Sequence, residues 1–127
     1  MTIAGLIALF LAVALHFFIF YLESFAWTTR ALSVFGMSRE SAEQTKEMAY
    51  NQGFYNLFLG IIAALGAVFY WAGSTQVGLA LALAGTGSMV AAATVLFITS
   101  PDKRAAAMKQ GIFPLLAVLL LGVGALI

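Results

Sequence analysis

Residues 51–73 read NQGFYNLFLGIIAALGAVFYWAG. After two polar residues, Asn51 and Gln52, no charged side chain interrupts the run, and it closes on Tyr70 and Trp71. A helix needs about 20 apolar residues to cross the hydrocarbon of a bilayer, and aromatic side chains favour the interface at its ends. Backbone amides in lipid are satisfied only within their own segment, so such a run is helical. Three further apolar stretches, about 3–26, 77–98 and 105–127, accompany it. The reading is one domain over residues 1–127, an all-α integral membrane bundle of four transmembrane helices.

Composition leads to the same class. The 127 residues are 63% hydrophobic and 9% charged, against about 25% charged in soluble domains. Six Lys/Arg and five Asp/Glu are too few to clothe a soluble core of this length, so lipid is the expected solvent. The net charge of +1, without a basic patch interleaved with aromatics, predicts no nucleic-acid partner. The absence of cysteine excludes disulfides, thiol nucleophiles and thiolate metal sites, and a single His excludes a histidine cluster. Neither metal nor cofactor is therefore expected. The first apolar run has no Lys or Arg ahead of it and is as long as a span, so it reads as a helix rather than a cleaved signal peptide.

The connections set an orientation. WAGSTQ, residues 71–76, is short and uncharged, which makes the second and third spans a hairpin. Residues 28–50 carry Arg30, Arg39 and Lys46, and residues 100–110 carry Lys103, Arg104 and Lys109. All six basic residues lie in these two connections. The positive-inside rule then puts both long loops in the cytoplasm and both termini outside, in a bacterial inner (plasma) membrane.

Local signals add detail. In SPDKR, Ser100 is an expected cap, Pro101 suits a first helical turn and Asp102 complements the dipole. Ser38 or Ser41 is an expected cap for a cytoplasmic amphipathic extension over about 38–50, and Ser41 with Gln44 fits a capping box. The third span places Ala80, Ala84, Ser88 and Ala92 on one stripe. Small residues at that spacing admit close helix approach. One reading is packing inside the bundle and the other is a homodimer interface.

Polar groups inside the spans carry the functional signal, because they are costly in lipid and turn toward a bundle interior or a wet cavity. In HFFIFYLE, His16 and Glu23 are two helical turns apart and share a face. Counted from Asn51 at about 100° per residue, Tyr55, Gln52 and Asn56 fall at about 40°, 100° and 140°, within one arc. Gly53 keeps that helix end slim. In the fourth span, Pro114 removes the helical donor of the Gln110 carbonyl and predicts a kink. His16, Glu23, Asn51, Gln52, Tyr55, Asn56 and Gln110 are accordingly expected to line one polar cavity that opens to the cytoplasmic side.

HFFIFYLE, NQGFYNLFLG and QGIFP, in this order and spacing, resemble a family of small four-helix membrane proteins known as domain of unknown function 1304. The resemblance spans nearly the whole chain and implies the fold and the site, but no activity. The family pattern often has Glu before the His, where this chain has Leu15, and Gly after the second Asn, where it has Leu57. The first departure removes a second carboxylate beside His16.

Three functions follow from these residues. The favoured one is binding or transport of a small amphiphilic molecule, lipid included, with His16 and Glu23 as cation or proton sites and aromatic walls at Phe17, Phe20 and Tyr55. The second is an intramembrane acid–base enzyme acting on a lipophilic substrate. The third is a structural or regulatory subunit of a larger membrane complex.

Overall fold

Thr2 caps the first helix by accepting the Gly5 amide at 3.1 Å, and from there the chain is helical almost throughout. The computed structural model describes residues 1–126. Its elements are α1 (Ile3–Phe25), the short α2 (Arg30–Phe35), α3 (Arg39–Trp71), α4 (Thr75–Thr99), a 3₁₀ turn (Pro101–Lys103) and α5 (Arg104–Leu126). α1, α3, α4 and α5 are each long and apolar enough to cross a membrane. Ile127, the end of the expected fourth span, lies outside the described residues.

The four long helices form an antiparallel ring in which α1 packs on α3 and α5, and α4 packs on the same two. The interior is built from small side chains, among them Ala12, Ala63, Ala67, Ala82 and Ala117, with Leu9, Met89 and Leu121 filling between them. Large apolar residues such as Phe10, Leu65, Phe69, Val95, Leu116 and Leu119 face outward. Small inside and large outside is the pattern of helices that associate by close packing in lipid, where large apolar groups gain nothing by hiding. Hydroxyls on α4 are satisfied without another helix: Thr86, Ser88 and Thr94 each donate to the carbonyl four residues earlier, at 2.7–2.8 Å.

The α3–α4 hairpin is the closest contact. Gly73 turns the chain at φ +93°, a left-handed region that favours glycine. Beyond it the two backbones nearly touch, since a Cβ on Gly85 would lie 2.8 Å from the Ala63 amide nitrogen. The α4 face used for this packing holds Gly78, Ala82, Gly85, Met89 and Ala93. Ala80, Ala84, Ser88 and Ala92 lie off that face and are exposed. The in-bundle reading of that stripe is therefore corrected: spacing of four identified a stripe, but the glycines identify the buried one. The open stripe is where the expected dimer would have to form.

Other sequence signals resolve similarly. Ser38, not Ser41, caps α3, accepting the Ser41 amide at 3.1 Å, so no capping box forms. Ser100 makes no side-chain cap. Arg104 serves that corner instead, donating from Nε to the Phe97 carbonyl at 3.0 Å and lying over the Phe97 ring, which satisfies an orphan carbonyl at the α4 C-terminus. α5 continues through Pro114, which is buried. α2 was not expected; its Ala31, with Leu22, Ala26, Trp27, Phe35 and Met37, forms a small second core.

Candidate functional site

Both α1 candidates lie on the side turned to the ring. His16 is fully buried, and its Nδ1 donates to the Ala12 carbonyl at 2.9 Å, one turn back in the same helix. A carbonyl only accepts, so this bond puts a proton on Nδ1, and in the neutral ring Nε2 is then the acceptor. Nε2 is buried without a partner among the described residues.

Glu23 meets α3. Asn56, buried on the inner face of that helix, donates from Nδ2 to Glu23 Oε2 at 2.6 Å. The approach depends on Gly53: a Cβ there would strike Ser24 Oγ and stand 3.1 Å from Glu23 Cβ. With that space open, Ser24 Oγ donates to the Tyr50 carbonyl at 2.9 Å, and the Phe20 and Phe54 rings meet edge-on at 5.0 Å. A turn further out, Trp27 Nε1 donates to Thr45 Oγ1 at 3.0 Å.

Beside this junction lies a groove of about 330 Å³, lined by Glu23, Ser24, Phe25, Trp27, Thr28, Lys46, Glu47 and Tyr50. Lys46 is engaged by Glu43 at 3.0 Å. Neither Glu23 nor Glu47 has a cationic partner among the described residues. The groove thus combines two carboxyl groups outside any ion pair, and a lysine already paired with Glu43, with the aromatic rings of Phe25, Trp27 and Tyr50, a lining suited to a cation with apolar bulk.

Of the seven residues singled out by sequence, the structure brings Glu23 and Asn56 together. Asn51, Gln52 and Tyr55 are exposed, and Gln110 is half-buried in a different groove, between α1 and α5. One cavity shared by all seven does not form. The reason is helical phase: the buried face of α3 carries Ala49, Gly53, Asn56, Gly60 and Ala63, which on the same wheel centre near 160°, and only Asn56 of the polar arc falls within it. The other three turn outward, away from the buried face of α3.

Of the other groove-lining residues, Trp27, Lys46, Glu47 and Tyr50 show in sequence no more than an aromatic after the first span and a charged stretch before the second. A stronger signal was available, since Lys46 and Tyr50 lie seven and three residues before Gly53 and so share its side of α3. Among the described residues, no three His or acidic side chains are placed to hold a metal ion.

Three comparisons with known proteins bear on identity. A family model described as a protein of unknown function (DUF1304) matches residues 10–122, nearly the whole chain. No curated protein and no solved structure matches it.

Proposed function

The chain belongs to the DUF1304 family, whose function is unknown, and from its own residues we propose that it is an integral membrane protein that binds a small amphiphilic cation in the Glu23 groove, for binding or transport at the cytoplasmic face. The observation that carries this reading is the Glu23–Asn56 junction: a carboxyl group within a span, held by one amide hydrogen bond and lining a groove with a second unpaired carboxylate and three aromatic rings. The groove lies at the end that gathers all six basic residues, where an amphiphile partitions with its head in the interface and its tail in hydrocarbon. The proposed orientation puts that end in the cytoplasm and both termini outside.

Trp27 provides the test. Trp71, the other of the two tryptophans, stands at the opposite end of α3, so Trp71→Phe leaves Trp27 as the sole reporter. Decyltrimethylammonium titrated into this variant in neutral nanodiscs should shift Trp27 emission saturably. Glu23→Gln preserves an acceptor for Asn56 but removes the charge; it should keep the melting temperature and weaken binding about tenfold or more, the size of a charge-assisted contact. Equal titrations for the two proteins would defeat the proposal.

A further inference from the structure

A second groove lies on the other flank of α1, where α1 and α5 part beneath α2. Phe18, Ile19 and Leu22 of α1 form one wall, Val34 and Phe35 of α2 roof it, and Lys109 and Gln110 stand on the α5 side. Its volume is about 160 Å³, well under the roughly 300 Å³ at which pockets begin to take drug-sized ring systems. A narrow, apolar, roofed space of this size accommodates one chain.

The polar groups at its edge set the sign of the head. Lys46 pairs with Glu43 at 3.0 Å and Lys103 with Asp102 at 3.3 Å. Lys109, the remaining lysine, has no carboxylate partner among the described residues. The adjacent Gln110 side chain is half-buried and makes no hydrogen bond among the described residues. An ammonium and an amide next to each other, both with free donors, match the two oxygens of a carboxylate. Both residues lie within the first two turns of α5, and the α1 wall facing them in the groove is apolar.

We propose that this groove binds a free fatty acid, its carboxylate held by Lys109 and Gln110 and its single acyl chain lying against Phe18 and Ile19 under the α2 roof. The site is separate from the Glu23 groove and opposite to it in charge preference, so neither depends on the other.

Photolabelling in neutral phosphatidylcholine nanodiscs tests it, with a dodecanoate probe bearing a mid-chain diazirine. Label should map to α1, α2 and α5 around the groove and be displaced by unlabelled dodecanoate. Dodecanol, equal in chain and lacking the charge, should compete about tenfold less well. Lys109→Gln, at an exposed position where folding is not at stake, should reduce labelling by a similar factor, and Lys109→Arg should retain it. Equal competition by dodecanol, undiminished labelling of Lys109→Gln, or label confined to the other helices would overturn the site. Competition by phosphatidylglycerol as strong as that by dodecanoate would overturn the fatty-acid assignment.

Discussion

At the scale of single residues, one buried side-chain polar atom among the described residues has no hydrogen-bond partner, His16 Nε2. A buried acceptor without a donor costs roughly 1–3 kcal/mol, whereas replacing a polar group by an apolar one of similar shape is close to neutral. His16→Leu should therefore change stability by less than about 1.5 kcal/mol, as a volume-conserving swap does, and thermal unfolding in detergent measures it. A much larger loss would mean that the imidazole holds a structural partner such as an internal water. Asn56 is the contrasting case: buried like His16, it has a carboxyl partner at 2.6 Å. The sequence marks both as polar groups in a span, but distinguishes them only through Gly53, the residue that lets Glu23 come within reach.

At the scale of elements, the four long helices were legible because the physics behind them is one-dimensional: apolar run length against hydrocarbon thickness. α3 shows how far that goes. Its 33 residues extend about 50 Å at the helical rise, roughly 20 Å more than the hydrocarbon core, and the excess is the stretch from Arg39 onward. Rotation about each axis was not legible in the same way. Every face of a lipid-immersed helix is apolar, so hydrophobic periodicity cannot tell inside from outside, and polar side chains at the interface add a misleading arc, as Asn51, Gln52 and Tyr55 did. Glycine and alanine hold the missing phase information, because backbone approach excludes larger residues. Two glycines of α4 turn this into a prediction. A Cβ at Gly85 meets the Ala63 backbone at 2.8 Å, while one at Gly87 has nothing within 4 Å. Gly85→Ala should lower stability by about 1–3 kcal/mol through overpacking, and Gly87→Ala should be neutral or raise it by up to about 1 kcal/mol, because alanine restricts the unfolded chain and favours the helix. Paired thermal melts in one detergent compare them directly. Equal effects would mean that the hairpin is not as close as described. The short α2 escaped the sequence reading for a related reason: six residues are too few to show a period, and only its packing on Leu22 and Ala26 stabilises it.

At the scale of the whole molecule, the antiparallel ring puts the C-terminal ends of α1 and α4 beside the N-terminal ends of α3 and α5. That end carries Arg30, Arg39, Lys46, Lys103, Arg104 and Lys109, and the α3–α4 turn at the other end carries none of the six basic residues. The N-terminal ammonium also lies at that far end, where it donates to the Tyr70 hydroxyl. Retention of Lys and Arg on the cytoplasmic side during insertion acts on short loops such as these, so the proposed orientation is a single one, with the Glu23 groove and the Lys109 groove both reached from the cytoplasm. The chain has no cysteine of its own, which makes single introduced thiols unambiguous reporters. Gln44 is exposed on the water-side part of α3, and Ser74 is exposed in the α3–α4 turn without a capping bond to lose. In intact cells a membrane-impermeant maleimide should label Ser74→Cys and leave Gln44→Cys unmodified. Opening the membrane should make both react. The reverse pattern in intact cells would invert the molecule and move both grooves to the outer face. Labelling of both before permeabilisation would mean dual insertion, which the charge asymmetry argues against.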